Sequence, residues 1–417
     1  MARETLTADR SATTTSSWRR PYYVVLACHA GVFLAFSAAF PFMSLYVQQL
    51  GVVDRQAAAG WAGLINGLST AMVAVMNPVW GSAADRWGAK AGLVRSLALC
   101  VVGLVICAVA TSPEHLLFGR LVQGFGGGAN AAAIIVVSGL VPTTALATSM
   151  GMMQTAQSLS GALGPAIGGF VGDLFGFKYA FIGSAVLLAL VTAAVVIFVH
   201  DPKSEARPAR HKQSFFGGLA YVYTEPRVRA LLVVFFGFHA AYQAVWTFLP
   251  LRVQDMVDES LVGRWSGAAA LGDALGIALG ASVTAWLANR YAPRPGRVTA
   301  AVCLVAAAAT LLHFLVDRPE ALVALRVVVG LCYGGAVVVM RTALGQVAEP
   351  ARRGVTFGVA QSAFAGGFAV GALVGSAVIG AFGLLAAFLL SAGAFALVAG
   401  WSVVAFPVQP AAEASSS

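Results

Sequence analysis

The sequence predicts an all-α membrane protein of twelve transmembrane helices, arranged as two pseudo-symmetric six-helix bundles. Of the 417 residues, 59% are hydrophobic and only 10% are charged, whereas an ordinary soluble domain carries about 25% charged residues. Apolar runs of about 20 residues are long enough to cross the hydrocarbon core as helices, and twelve such runs follow one another. Motifs of the first half also return in the second half. These observations indicate a membrane chain that repeats one bundle.

The twelve predicted spans divide evenly between the two bundles. The first bundle is expected to cover residues 22–200 and the second residues 229–406. The longest connection, residues 201–228, is rich in charge and proline and is predicted to link them, and tails at 1–21 and 407–417 flank the bundles. The spans are predicted at about residues 22–49, 60–80, 92–111, 115–138, 149–172, 179–200, 229–254, 263–288, 298–316, 320–341, 355–380 and 382–406.

The distribution of lysine and arginine predicts the orientation, because basic residues are retained on the cytoplasmic side of short loops. With both termini in the cytoplasm, the inner segments hold 19 of the 26 basic residues and the outer loops hold five. The sequence therefore predicts a multi-pass protein of the inner (plasma) membrane with both termini cytoplasmic. The net charge of +9 is scattered over many loops, so no nucleic-acid partner is expected.

The connection after the second span, from Gly81 to Lys90, holds an acid, two bases and two glycines between two membrane-spanning segments. Its acid, Asp85, could accept hydrogen bonds from the free backbone N–H groups at the start of a neighbouring helix, where the dipole favours an anion. Such a contact would form in one conformation of the protein, which it would stabilise, and would break in another. The simpler interpretation is a positively charged inner loop.

Several motifs of the first half return in the second half, about 204 positions later. Tandem halves with matched motifs predict a transporter whose substrate site lies between the repeats, near the middle of the membrane. The matched residues are Asp85 with Asn289, Arg86 with Arg290, Trp87 with Tyr291, Lys90 with Arg294, Trp61 and Gly63 with Trp265 and Gly267, and Arg120 and Gly124 with Arg326 and Gly330.

Charged side chains inside predicted spans are candidates for chemistry. Arg120 in span 4 would cost at least about 2.5–3.5 kcal/mol at the membrane centre if it faced lipid, so we expect it to face protein or a wet cavity. Asp273 is the only carboxylate well inside a span. Burial disfavours its charged form and a nearby arginine favours it, which suits a group that binds and releases a proton. The alternative is a static ion pair with Arg326 or Arg120.

The fifth span carries several glycines and one proline. Glycines that recur every four residues allow close helix contact, and the proline can kink the helix. Ordinary packing of small residues would explain most of this pattern. The residues are Gly161, Gly164, Pro165, Gly168, Gly169 and Gly172.

Three of these motifs resemble signatures of the major facilitator superfamily, and the resemblance covers essentially the whole chain. The segment Gly81 to Lys90 resembles the signature of the loop between spans 2 and 3, which gates the cytoplasmic side in that family. The resemblance implies the major facilitator fold, with two bundles that rock about a central cavity. It assigns the cytoplasmic gate to Gly81, Asp85, Arg86, Gly88 and Lys90.

The other two motifs indicate the direction of transport and its coupling. The segment Arg120-Leu-Val-Gln123-Gly124 resembles the R-x-x-Q-G signature of the superfamily's drug:proton antiporters, in which the arginine is implicated in proton coupling. The segment Gly164-Pro165-Ala-Ile-Gly168-Gly169 is similar to a G-P-x-x-G-G signature of its exporters. Together these resemblances imply proton-coupled export.

Exporters of this kind often keep an acid in span 1, where this chain has His29. Histidine titrates near neutral pH, so His29 joins Asp273 and Arg120 as a candidate for proton coupling, against the alternative of a packing residue. In the superfamily, spans 1, 4, 7 and 10 line the cavity. The resemblance therefore nominates as ligand contacts Phe36, Phe40, Gln123, His239, Tyr242, Gln243, Trp246, Arg326 and Tyr333.

The sequence predicts a secondary transporter, and not an enzyme, that exports small amphipathic compounds in exchange for protons, as multidrug efflux proteins do. It holds no phosphate-binding loop and suggests no metal site, so the proton gradient is expected to drive transport without a cofactor. The expected partners are a small-molecule substrate, protons and the lipid bilayer, and the chain is expected to work as a monomer. One alternative is a transporter of an anionic metabolite such as an organic acid or siderophore, since two intramembrane arginines accompany one carboxylate. A transporter-like membrane sensor is less favoured.

Overall fold

The structure is a computed structural model that describes residues 18–199, 224–291, 295–349 and 353–406. Within these ranges the chain forms helices joined by short turns, and no β-strand occurs among them. The predicted all-α class is therefore confirmed. The predicted linker and both predicted tails lie largely outside the described residues.

The described helices lie at all twelve predicted positions, and we refer to α1–α8 as the first half and α9–α15 as the second half. Short 3₁₀ turns at Phe40–Phe42 and Glu259–Leu261 accompany them. The α-helices of the described ranges are α1 (Arg19–Ala39), α2 (Met43–Gln49), α3 (Arg55–Trp87), α4 (Ala89–Ala108), α5 (Pro113–Phe125), α6 (Ala129–Leu140), α7 (Thr143–Phe175), α8 (Phe177–Phe198), α9 (Pro226–Trp246), α10 (Leu249–Val253), α11 (Val262–Tyr291), α12 (Pro295–Leu315), α13 (Pro319–Val347), α14 (Arg353–Phe382) and α15 (Leu384–Ala405).

Ten stretches of the described chain are long and apolar enough to cross a membrane by length and composition. The two predicted spans outside this set are the fourth and the fifth. The fourth is interrupted, because α5 ends at Phe125 and α6 begins only at Ala129. Three consecutive glycines cause the break, and Gly128 adopts a left-handed conformation with φ of 97° that glycine reaches without steric cost. The fifth is one continuous helix, α7, rich in glycine, serine, threonine and glutamine.

The gate motif was predicted to lie in a loop, and this prediction is wrong for most of it. Helix α3 continues through Trp87, and the chain turns only at Gly88, whose φ is 93°. The equivalent segment of the second half is helical as far as Tyr291, where α11 ends. The apolar runs underestimated the length of both helices, because their last turns carry charged residues.

Glycines bring corresponding helices together inside each half. In the first half, a methyl group at Gly164 of α7 would overlap the side chain of Ser37 in α1, and one at Gly168 would overlap the backbone of Ala38. In the second half, a methyl group at Gly371 of α14 would overlap the carbonyl group of Ala240 in α9. Span 5 therefore packs on span 1 in the same way as span 11 packs on span 7, which supports the internal repeat.

The two halves meet through two helix pairs, α3 with α14 and α7 with α11. A methyl group at Gly63 would overlap Ser376, and one at Gly267 would lie 2.6 Å from the carbonyl oxygen of Pro165. Gly63 and Gly267 are the glycines of the repeated Trp-x-Gly motif. A methyl group at Gly169 would overlap the backbone of Gly263. The halves thus touch backbone to backbone.

These contacts lie toward one side of the membrane. We call the side that holds Arg19 and Ala405 the near side, and the side that holds the turns at 50–54 and 254–261 the far side. On the far side Gln254 donates from its amide nitrogen to Gln48 over 2.7 Å, and Arg55 pairs with Asp255 across the halves. The halves are therefore joined on the far side.

Candidate functional site

A cavity of about 540 Å³ lies between the halves. Its walls come mainly from spans 1 to 4, and α14 closes one edge with Gln361, Phe364 and Ala365. The lining runs from the middle of the spans toward their near-side ends at Val25 and Leu93, so the cavity faces the near side. Most lining side chains are apolar, which is typical of a small-molecule site.

Five of the residues predicted for proton coupling or substrate contact lie on this cavity. His29, Phe36, Phe40, Arg120 and Gln123 line it. The remaining predicted contacts of the second half do not line it and instead pack inside their own bundle. These are His239, Tyr242, Gln243, Trp246, Arg326 and Tyr333.

Arg120 is buried in the first half, with 6% of its surface exposed. Its guanidinium lies 3.6 Å from the centre of the Phe40 ring and donates to Gln123 Oε1 over 2.9 Å and to Asn66 Oδ1 over 3.3 Å. Its Nε has no hydrogen-bond partner among the described groups. No carboxylate of the described ranges lies within ion-pair distance of Arg120, so neutral groups and a ring face surround this cation.

Asp273 forms the second charged cluster, in the second half. Only 2% of its surface is exposed, and Arg326 and the hydroxyl of Tyr242 donate to its two carboxylate oxygens. The guanidinium of Arg326 also lies 4.7 Å from the Trp246 ring centre. The sequence left both arginines open as partners of this acid, and the structure pairs it with Arg326. Tyr242 and Trp246 are thus contacts of the ion pair and not of the described cavity.

The remaining polar residues of the second half bond within their own helix. His239 Nδ1 donates to the carbonyl group of Phe235 over 2.6 Å, and its ring packs among aromatic side chains such as Phe364. Gln243 donates to Thr247 Oγ1 over 2.8 Å. His29, by contrast, packs edge-on against Phe33 and lines the cavity. Of the two histidines in the predicted site, His29 alone lines this cavity.

A carboxylate that the sequence analysis did not single out joins the halves on the far side. Asp173, near the end of α7, accepts hydrogen bonds of 2.7 Å from the backbone N–H groups of Gly263 and Arg264, in the first turn of α11. An acid is favoured there because the first N–H groups of a helix lack helical partners. The sequence signal that could have indicated this contact is an acid, Asp173, directly after the last of the glycines of α7, Gly172.

The sequence profile of the Major Facilitator Superfamily matches residues 25–314 and 257–417 of this chain. The chain belongs to the Major Facilitator Superfamily. The fold agrees: a crystal structure of the nucleoside transporter NupG superimposes with a TM-score of 0.78 at 15% identity, covering 93% of this chain and 100% of that one. A bacterial homolog of the human lysosomal transporter Spinster, in an inward-facing and unoccupied conformation, gives 0.74 at 16% identity, covering 94% and 96%.

Relatives of similar length carry the name multidrug resistance protein MdtG. The protein from Klebsiella pneumoniae (strain 342) is 29% identical over 423 residues, covering 97% of this chain and 98% of its own length. The protein from Dickeya zeae (strain Ech586) is 28% identical over 382 residues, covering 90% and 91%. As a Major Facilitator Superfamily member, the chain is a multi-pass membrane transporter.

The superfamily gate motif is described only in part. Lys90 donates from Nζ to the carbonyl group of Val196 at the end of α8 over 3.1 Å, so it ties span 3 to span 6 on the near side. Gly88 provides the turn between α3 and α4. The side chains of Asp85 and Arg86, like Gly81, lie outside the described residues, and their gate role stays a prediction.

Replacing Asp173 by alanine is expected to weaken the closure of the far side. Loss of a helix-capping side chain costs about 0.5–2 kcal/mol, and here the cap and the helix belong to different halves. Closure can be measured by cross-linking a Gln48→Cys/Gln254→Cys pair with a short bifunctional reagent, because the five native cysteines are buried. We expect Asp173→Ala to lower the cross-linked fraction.

Asp54→Ala is the matched control for this prediction. Asp54 also accepts a 2.7 Å hydrogen bond from a helix-start N–H group, that of Ala57, but both residues belong to the first half. Its replacement should leave the cross-linked fraction unchanged. Equal effects of the two variants would mean that Asp173 does not act as a contact between the halves.

Proposed function

We propose that this transporter exports small amphipathic compounds, of the multidrug type, in exchange for protons. The two halves would alternate between a state open to the near side and a state open to the far side. The name of its relatives, multidrug resistance protein MdtG, supports the substrate range. The distribution of basic residues supports a cytoplasmic near side in the inner membrane, and one chain with two halves supports a monomer.

The observation that carries the proposal is the buried pair of Asp273 and Arg326. Burying two charges costs several kcal/mol per ion before their attraction is counted, and ionisable residues inside membranes are functional by default. A proton on Asp273 would remove its charge and weaken its attraction for Arg326. The cluster would therefore have two arrangements that differ by one proton, as a coupling site requires.

The geometry of the structure fits one step of such an exchange. The cavity faces the near side, and Asp273 is held in the ion pair that requires its proton-free form. An antiporter has to release its proton on the side where it loads the substrate. A near-side state with an ion-paired acid is thus the substrate-loading state, and protonation from the far side would favour the return.

The energy of the proton gradient is sufficient for this work. One charge that moves through 100 mV releases about 2.3 kcal/mol, which supports roughly 50-fold accumulation. In the first half, His29 lies on the cavity wall and remains a second candidate for a proton relay. Arg120 lies apart from the acid pair, so its contribution to coupling would act through the movement of the halves.

Inside-out vesicles with an imposed pH gradient test the proposal. A pH-sensitive dye would report proton movement while amphipathic cations, neutral compounds and acids are added in turn. We expect added substrate to drive protons out of the acidified vesicle interior, at a rate that saturates with substrate concentration. A dye signal that no amphipathic compound changes would contradict coupled export.

A transporter of an anionic metabolite is the second candidate. It is favoured by Arg120, which has no carboxylate partner in the described ranges. Organic acids without an apolar part would then be the compounds that change the dye signal. Amphipathic compounds would leave the dye signal of the same vesicles unchanged.

A further inference from the structure

We infer that Arg120 binds an acidic head group of the transported compound, so that the preferred substrates are amphipathic carboxylates and not lipophilic cations. This inference rests on the proposed export function and names its substrate class. It starts from a comparison of the two halves, which place equivalent arginines in unequal surroundings.

Packing shows that Ser69 and Asp273 are equivalent residues. Arg120 and Arg326 each precede a glycine by four positions, and these glycines press against the helix that faces them. A methyl group at Gly124 would lie 2.6 Å from the backbone oxygen of Ser69, and one at Gly330 would overlap the backbone oxygen of Asp273. Ser69 and Asp273 stand 204 positions apart, the offset of the internal repeat.

The two arginines therefore differ in their counter-ion. The second half supplies Arg326 with a carboxylate at the Asp273 position. At the equivalent position the first half has Ser69, whose hydroxyl donates to the backbone carbonyl of Arg120 over 2.8 Å and offers no negative charge. A buried cation without a counter-ion is costly. A carboxylate that arrives with the substrate would complete the pair in the first half.

The arginine of the first half is also the one that a ligand can reach. Arg120, Gln123 and Ser69 all line the near-side cavity, whereas Asp273 and Arg326 do not. Arg120 Nε and Gln123 Nε2 are buried donors without a partner among the described groups. Guanidinium groups bind carboxylates through parallel hydrogen bonds, so two side chains that line the cavity and keep unused donors suit this head group.

The break in span 4 adds a second feature that favours an anion. Gly127, Gly128 and Ala129 line the same cavity, and the twelve-residue helix α6 begins there without a side-chain cap. Interrupted membrane helices in transporters present their N-terminal ends to anionic groups of the substrate. The carbonyl groups released by the break bond elsewhere, since Ser96 donates to Gly126 and Gly127.

The rest of the cavity fits an apolar body. Phe33, Phe36, Phe40 and Phe364 contribute aromatic surface around the arginine. A lipophilic cation would gain this apolar contact but would be repelled by Arg120. An amphipathic carboxylate gains both the apolar contact and the ion pair, so the charge of the head group decides between them.

Three probes of one shape test the inference. Naphthalene-2-carboxylate, its carboxamide and naphthalen-2-ylmethylammonium would be titrated by calorimetry into the full-length protein in lipid nanodiscs, without a pH gradient. We expect the carboxylate to bind at least about tenfold more tightly than the amide, the affinity change that corresponds to one charge-assisted hydrogen bond. The ammonium compound should bind more weakly than the amide.

Two variants of one size separate the charge from the shape. Ser69→Asp supplies the first half with its own carboxylate beside Arg120, and Ser69→Asn has the same size without the charge. We expect Ser69→Asp to abolish the carboxylate preference, and the readout is the difference between the two variants. The comparison of the three probes on the wild-type protein needs no variant. It can therefore overturn the inference even if Ser69→Asp does not fold.

The outcomes distinguish this inference from the proposed function. Equal or tighter binding of the ammonium compound, or an unchanged carboxylate preference in folded Ser69→Asp, would overturn the inference. Proton movement driven by cations in vesicles would then still support coupled export. If the carboxylate binds preferentially in nanodiscs but no compound changes the dye signal in vesicles, the binding site is supported and the proposed proton antiport is overturned.

Discussion

Replacing Asp273 by asparagine is expected to abolish proton-driven export. Asparagine has the size of aspartate but can neither bind nor release a proton, so the cluster with Arg326 and Tyr242 would keep one arrangement. In reconstituted vesicles, substrate movement driven by a pH gradient should fall to the level of empty vesicles. Exchange of labelled for unlabelled substrate, which needs no net proton movement, should persist.

Asp273→Asn also leaves Arg326 buried without its counter-ion. Loss of one member of a buried ion pair lowers the free energy of unfolding by about 3–5 kcal/mol. The double variant Asp273→Asn/Arg326→Gln removes both charges and is the control for folding. We expect it to recover the thermal stability of the wild type without recovering proton-driven transport. Undiminished gradient-driven export by Asp273→Asn would remove this carboxylate from the mechanism.

Replacing Gly169 by alanine is expected to disturb the far-side closure more than any other single methyl group on α7. That methyl group would overlap the backbone of Gly263 in the other half, and two helix backbones cannot rearrange as a flexible side chain can. Overpacking costs about 1–3 kcal/mol, which corresponds to roughly a 5- to 150-fold shift between two states. The cross-linked fraction of the Gln48→Cys/Gln254→Cys pair should fall accordingly.

Gly161→Ala on the same helix is the matched control. No atom lies within 4 Å of the added methyl group there, so cross-linking and transport should match the wild type. Gly168→Ala provides a contrast, because its methyl group would overlap α1 of the same half. That variant should lower thermal stability. A Gly169→Ala protein that cross-links like the wild type would show that the two helices separate easily at this point.

Much of the fold follows from patterns that are local in the sequence. Apolar runs of sufficient length predict the spans, and motifs that return after 204 positions predict two related halves. The repeated Trp-x-Gly motif is informative beyond this, because Gly63 and Gly267 lie where the halves touch. The break at Gly126 to Gly128 was not predicted, since glycine hardly changes the mean apolarity of a span.

The site was harder to predict because its contacts depend on which helices pack together. Nothing in the sequence decides whether Asp273 pairs with Arg120 or Arg326, whereas the close packing of α11 on α13 does. Tyr242 was nominated as a ligand contact because its span lines the cavity in the superfamily. In this chain it donates to Asp273 instead. A lone hydroxyl in an apolar helix carries no pattern that reveals its partner.

The backbone contact of the halves on the far side also bears on the energy supply of the cell. A seal made of flexible side chains can loosen gradually, and each partial opening admits water and ions. Close-packed backbones have discrete arrangements and do not deform continuously. A carrier that closes in this way keeps the far side sealed against ions until the halves separate as a whole, so the membrane does not lose its ion gradients through partial openings.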